Sequence, residues 1–220
     1  MEPLSLTLQV PRGELLSGLL RMSQQAATRH LDELGLTGYV ERQGLVWVIV
    51  RTHGKFFSSP GETLDITTWP GKSRAGLMPR HCQMFHPDGT PCLHLVSLWA
   101  LADAESRKMR PDVAVPLPEL TLPQEIPLPR AFPRRSDPLL GQFTVTPDYI
   151  DRNGHMNNAA YLEPVAPFLK GRLPREFTVD YRAELLPGQR VDVCGQEEEN
   201  ALYLSGKVGD GEHFRMRFFF

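Results

Sequence analysis

Two stretches of this 220-residue chain repeat one another. Phe57-Ser58-Ser59-Pro60-Gly61-Glu62-Thr63-Leu64-Asp65-Ile66 resembles Glu184-Leu185-Leu186-Pro187-Gly188-Gln189-Arg190-Val191-Asp192-Val193, and each has an Asp-Gly turn downstream, Asp88-Gly89 and Asp210-Gly211. A chain that repeats itself on this scale folds as a duplicated domain, the covalent counterpart of a dimer. The repeat also tells the halves apart: where the second has Glu184, the first has Phe57. One active site per chain is expected, carried by the second half.

The first half reads as a helix followed by strands. Leu15, Leu16, Leu19, Leu20, Ala26, Ala27, Leu31 and Leu34 recur at intervals of three and four, which predicts a helix between Gly13 and Gly35, with Gly35 as its stop. Few residues between Ser17 and Arg29 are charged, so the helix is expected to be wrapped by other elements. From Leu45 the period changes. Leu45–Val50, Phe56-Phe57, Thr63–Trp69, Gly76–Phe85 and Cys92–Leu101 read as strands, punctuated by Ser59-Pro60-Gly61, Pro70-Gly71 and the hairpin signal His86-Pro87-Asp88-Gly89.

Pro111, Pro116, Pro118, Pro123, Pro127, Pro129, Pro133 and Pro138 then suit neither a helix nor a central strand. They predict a linker laid over the surface. The second half repeats the plan with a strand at Gln142–Thr146, a modest helix in the apolar segment Ala159–Leu169, and strands at Phe177–Leu185, Val191–Gly195, Leu202–Val208 and Phe214–Phe220. Phe218-Phe219-Phe220 is expected to end a strand buried on both faces. The domain boundaries are accordingly 1–112, a proline-rich linker 113–138, and 139–220; the class is α+β.

Composition excludes several functions. A net charge of −2 leaves no whole-molecule footprint for nucleic acid. No apolar run approaches the roughly 20 residues of a membrane span, and the N-terminus lacks a basic-then-apolar signal pattern. Three scattered cysteines give no disulfide framework. A cytoplasmic enzyme or binding protein is expected.

Chemistry concentrates in Asp151-Arg152-Asn153-Gly154-His155-Met156-Asn157-Asn158-Ala159-Ala160-Tyr161. Asn157 or Asn158 alone reads as a helix cap. Capping has no use for Asp151, Asn153 and His155 at alternate positions, and that surplus of polar groups marks a site.

The motif Asp-x-Asn-Gly-His-x-Asn-Asn-x-x-Tyr, followed by Phe177-Thr-Val-Asp-Tyr181-Arg182-Ala-Glu184, resembles the acyl-acyl-carrier-protein thioesterases of fatty-acid synthesis. Leu45-Val-Trp47-Val-Ile-Val-Arg51 and Ser97-Leu-Trp99-Ala-Leu sit where that family has its Trp-bearing strands. The resemblance implies two tandem hotdog domains, each a helix wrapped by a curved antiparallel sheet. It implies a catalytic set of Asp151, Asn153, His155 and Glu184, and hydrolysis of the thioester with release of a free fatty acid. A cysteine that some plant enzymes carry after the Glu is Leu185 here, which excludes a thiol nucleophile at that place.

For such chemistry an acid at Asp151 or Glu184 would activate water while His155 moves the proton, steps typically worth roughly 10²–10⁴-fold. The residues alone do not choose between the two acids, and a covalent anhydride through Asp151 stays open. Gly154 is the candidate for close approach of the substrate carbonyl and for an oxyanion contact. Met22, Ala26, Trp47 and Trp99 are candidate acyl-pocket residues. Arg130, Arg134, Arg135, Arg172 and Arg175 are candidates for docking an acidic, phosphopantetheine-bearing acyl carrier protein. No cofactor is expected, and the state is monomer or homodimer. The alternatives are an acyl-CoA thioesterase on the same site and a non-catalytic acyl-binding module. His81, Cys82, His86, Cys92 and His94 flank the predicted hairpin, but lack a tight Cys-x-x-Cys pair, so no metal is expected there.

Overall fold

A computed structural model describes residues 3–11, 13, 15–118, 120, 126–127 and 130–220. Pro123 and Pro129 of the proline-rich segment lie outside the described residues. The chain divides into two compact units, Met1–Val10 with Arg21–Leu128, and Pro11–Leu20 with Pro129–Phe220. Among the described residues there are ten strands and one α-helix, α1, Leu15–Glu33.

The first unit carries β1 (Leu4–Gln9), β2 (Leu45–Phe56), β3 (Thr63–Pro70), β4 (Met78–Phe85) and β5 (Pro91–Asp103) in the antiparallel order β1-β3-β4-β5-β2. The second carries β6 (Leu139–Thr144), β7 (Glu176–Tyr181), β8 (Arg190–Glu198), β9 (Ala201–Val208) and β10 (Gly211–Phe219) in the order β6-β8-β9-β10-β7. One order becomes the other when each number is raised by five, so the duplication read from the letters is present strand by strand. The Pro60-Gly61 and Pro187-Gly188 turns lead into β3 and β8, equivalent positions in the two sheets.

β1 is the element the helix-then-strands reading omitted. Leu4, Leu6 and Leu8 alternate with Ser5, Thr7 and Gln9, the period-2 signature of a half-buried strand, and their burial alternates likewise. Ser5, Thr7 and Gln9 meet Thr67, Asp65 and Thr63 of β3 side chain to side chain.

α1 ends as the glycine predicts. Gly35 adopts φ +67°, and Leu36 N–H reaches back to the Leu31 carbonyl at 2.9 Å, the closure that satisfies the last helical carbonyls. The helix is tied to β4 by a buried arginine. Arg80 donates from Nε to Thr68 Oγ1 at 3.0 Å, and from Nη2 to His30 Nδ1 at 2.9 Å and the Ala27 carbonyl at 3.3 Å. No carboxylate among the described residues pairs with it, and burial lowers its pKa to about 10. Cys82, on the same face of β4, is pushed up to about 12 by burial.

The second unit departs from the expected helix. Ala159–Leu169 forms two 3₁₀ turns, Ala160–Leu162 and Ala166–Leu169, held by i→i+3 bonds such as Glu163 N–H to the Ala160 carbonyl at 3.0 Å. Pro164 and Pro167 have no N–H to donate to residues four back, so an α-helical ladder cannot form through them. Lys170 and Gly171 then take positive φ and turn the chain away.

β10 also corrects an expectation. Phe214, Met216 and Phe218 are buried, whereas Arg215, Arg217 and Phe219 face outward and are half-buried. Phe219 and Phe220 are shielded from outside by guanidinium groups, Arg217 at 4.8 Å and Arg172 at 3.8 Å from the ring centroids. The outward face is polar and partly covered: Arg215 pairs with Glu212 at 2.5 Å, and Arg217 lies over the Phe132 and Phe219 rings.

Parts of the described proline-rich segment pack on each unit. Val113, Val115 and Leu117 pack on Val40, Leu45, Met78 and Leu101 in the first unit. In the second, Phe132 is buried, and its carbonyl accepts from Arg215 Nη1 at 3.0 Å.

Candidate active site

The site grows from the turn that closes residues 151–155. Asp151 N–H donates to the His155 carbonyl, and Gly154 N–H to the Asp151 carbonyl, both at 3.0 Å. Gly154 has φ +81°, a conformation costly for any residue with a side chain, so the glycine here serves the turn. The Asp151 carboxylate braces it: Oδ1 accepts from Asn153 N–H at 2.8 Å, and Oδ2 lies 3.4 Å from Asn153 Nδ2. Asp151, Asn153 and Gly154 thus form one hydrogen-bonded unit. The Gly154 N–H that sequence reasoning assigned to a substrate oxyanion is already committed to Asp151.

His155 leaves this turn pointing at the other acid. Its Nδ1 donates to the Met156 carbonyl at 3.3 Å, the tautomer that leaves Nε2 with a lone pair. Nε2 stands 3.7 Å from Glu184 Oε1, within ion-pair reach when the imidazole is protonated and the carboxyl ionised. The side chain of Glu184 is 42% exposed and that of His155 16% exposed, so one end of the pair meets water while the imidazole is sheltered. Glu184 lies just beyond β7, on a segment joined to the turn by Met156 N–H donating to the Leu185 carbonyl at 2.8 Å.

Asn157 closes an Asx turn just before the first 3₁₀ turn, its Oδ1 accepting from Ala159 N–H at 2.9 Å; the 3₁₀ turn itself has no side-chain cap. Asn158 offers its carbonyl to Tyr181 OH at 2.9 Å. Tyr161, which the motif contains but to which sequence reasoning gave no role, is buried beneath the Ala183–Leu185 segment. Nothing in the one-dimensional spacing marks it; only the fold brings it under Glu184.

The other candidate residues are dispersed. Met22 and Ala26 are buried on α1. Trp47 and Trp99 meet edge to face at 6.1 Å and pack in the cluster covered by Val113, Val115 and Leu117. Of the five arginines, Arg135 is held by Asp137 at 3.1 Å and by Glu198, with its guanidinium over Tyr203. Arg172 is held by Glu197 at 2.7 Å, and Arg175 bonds the Phe220 carbonyl. Arg130 and Arg134 are exposed and make no ion pair among the described residues. Two arginines that sequence reasoning passed over, Arg152 and Arg182, are exposed on the two loops that carry His155 and Glu184.

The histidines and cysteines near the hairpin do not converge. His81 and His94 touch at 3.3 Å beside Trp69, whereas Cys82 alternates to the other face of β4 and His86 bonds Ser58. Among the described residues no group of three or more metal-binding side chains comes together. No helix among them is long and apolar enough to cross a membrane.

The fold is a duplicated hotdog sheet whose second half sets an Asp-Asn-His turn against a glutamate. The chain matches the acyl-ACP thioesterase N-terminal domain over residues 13–114 and the acyl-ACP thioesterase C-terminal domain over residues 135–210. It is similar in structure to an acyl-ACP thioesterase from Bacteroides thetaiotaomicron, with 18% identity, TM-score 0.88, and 99% of this chain and 97% of that one covered. It is also similar to a 12:0-ACP thioesterase from Umbellularia californica, with 17% identity, TM-score 0.81 and coverage of 98% and 96%. A MaoC-like dehydratase from Phytophthora capsici shares the fold more loosely, at 12% identity, TM-score 0.55 and coverage of 79% and 68%. No curated protein sequence matches. The chain belongs to the acyl-ACP thioesterase family. It is a thioester hydrolase acting on acyl thioesters.

Proposed function

We propose that the thioester is presented on the phosphopantetheine arm of an acidic acyl carrier protein, and that Glu184 is the base that activates water. The observation that carries this reading is the 3.7 Å approach of His155 Nε2 to Glu184 Oε1, with Asp151 occupied in bracing the turn. Glu184 takes a proton from water as the oxygen attacks the carbonyl carbon. Asn153, whose amide has donor capacity beyond its long contact with Asp151, holds the developing oxyanion. The tetrahedral intermediate expels the thiolate, and the proton returns to sulfur through His155 Nε2. Leu185 removes any thiol route at this place.

Arg130 and Arg134, with Arg152 and Arg182 beside the site, supply positive charge that internal carboxylates do not neutralise, which suits an acidic carrier. Met22, Ala26, Trp47 and Trp99 are the proposed acyl-pocket walls of the first unit. We assign the enzyme to the cytoplasm; Cys82, Cys92 and Cys194 are all buried as free thiols, which fits a reducing compartment. The test is kcat/KM on matched acyl chains carried by acyl carrier protein and by CoA. Preference for the carrier supports the reading, and preference for CoA overturns the choice of carrier.

A further inference from the structure

Glu184 sits on an exposed segment beyond the last residue of β7, Tyr181, so groups outside β7 must fix its backbone. The groups that do so are visible. Tyr161 is 2% exposed, and its ring stands edge-on to Tyr181 and to Phe214, with centroids at 5.3 and 5.6 Å. Its hydroxyl donates to the Ala183 carbonyl at 3.4 Å and accepts from Leu185 N–H at 3.2 Å, the residues on either side of Glu184. The Leu185 carbonyl in turn accepts from Met156 N–H, next to His155. On the other side, His213 Nδ1 donates to the carbonyl of Glu184 itself at 2.9 Å, and the His213 carbonyl accepts from Arg182 and Ala183 N–H at 2.8 and 3.2 Å.

This arrangement needs a hydroxyl that both gives and takes a hydrogen bond. Burial, together with the Glu184 and Asp151 carboxylates, raises the Tyr161 pKa despite the opposing Leu185 N–H, so the proton stays on oxygen. The ring is enclosed by Phe214, Tyr181 and the segment above it.

We propose that Tyr161 and His213 are positioning residues that hold the Glu184 backbone from both sides, so that its carboxylate faces His155. The inference rests on Glu184 being the base. It assigns to the buried tyrosine a part in turnover, distinct from packing.

Tyr161→Phe keeps the ring and removes one oxygen. Its kcat should fall about ten- to a hundredfold, the scale of a small misplacement of a catalytic group, with KM within about twofold of wild type. The pH profile of kcat, whose acid limb reports the base, should shift as well. In a Glu184→Gln background Tyr161→Phe should cost nothing further, because there is no base left to place. His213→Leu, at a half-buried position, should show the same kcat loss and the same absence of effect in Glu184→Gln. Wild-type kcat in both variants, or an equal loss with and without Glu184, overturns the positioning role while leaving Glu184 as the base. Full activity of Glu184→Gln removes the base assignment and this inference with it. If Tyr161→Phe does not fold, His213→Leu decides.

Discussion

His155 Nε2 lies 3.7 Å from Glu184 Oε1, and both residues reach that distance from loops rather than from helix or strand. The pair exists because two separate hydrogen-bonded devices face each other: the turn braced by Asp151, and the segment pinned by Tyr161 and His213. The proposed mechanism gives the two carboxylates different parts on that basis.

In the proposed mechanism Asp151 braces the turn and Glu184 is the base, so the two substitutions of Asp151 that keep or remove its acceptor should differ. Asp151→Asn keeps an acceptor for Asn153 N–H and should retain most of the turn. Asp151→Ala loses it and should lower kcat further. Steady-state thiol release from the two variants, with circular dichroism to check folding, tests this. An Asp151→Asn enzyme as inactive as the alanine variant would make Asp151 a participant in the chemistry.

Gly206 is a packing position. A methyl group there would come within 2.0 Å of Phe214 Cε1, the ring that abuts Tyr161. Gly206→Ala should destabilise the protein by about 1–3 kcal/mol, the usual scale of overpacking, and lower kcat through the displaced tyrosine. Urea unfolding and thiol release on the same preparation measure both.

The first unit should weaken in mild acid. Burial lowers the His30 pKa from 6.5, Arg80 adds to the effect, and Glu33 opposes it. The unfolded chain therefore binds the proton more readily, and the stability held by neutral His30 is complete above pH 6.5 and lost as pH falls below it. Thermal unfolding between about pH 7.5 and 5.5 should show a decline that is reduced in His30→Gln. A flat profile for wild type would place the histidine in a wetter setting than its 3% exposure implies.

Carrier recognition should respond to the unneutralised arginines. Arg130→Glu with Arg134→Glu should raise KM for an acyl carrier protein substrate severalfold, most at low salt, and leave KM for the same acyl chain on CoA nearly unchanged. Arg135→Glu should act mainly on stability, because Asp137 and Glu198 already hold that side chain. Equal KM effects on both substrates would assign these arginines to something other than the carrier.

The duplicated plan was readable because turns and alternation are local: the Pro-Gly turns at 60–61 and 187–188 and the Asp-Gly turns mark equivalent places in both sheets. β1 is equally local, its three alternating leucines giving a period-2 strand signature. In the second half, the apolar content from Ala159 to Leu169 suggests a helix, but the missing N–H groups of Pro164 and Pro167 decide for 3₁₀ turns. The motif pointed to Asp151, Asn153, His155 and Glu184. It did not say that Gly154 N–H is consumed by its own turn, because hydrogen-bond partners depend on conformation. Tyr161 and His213 were out of reach for the same reason: they act on Glu184 through backbone groups, and no residue type or spacing reports such a contact.

The most direct test is pre-steady-state thiol release from a long-chain acyl carrier protein thioester by wild type, Glu184→Gln and His155→Ala, each verified as folded. The account predicts that Glu184→Gln slows the chemical step by roughly 10²–10⁴-fold, that His155→Ala slows it comparably, and that the double variant is little worse than either single one. Glu184→Gln turning over at the wild-type rate would contradict it, and would return the base to Asp151.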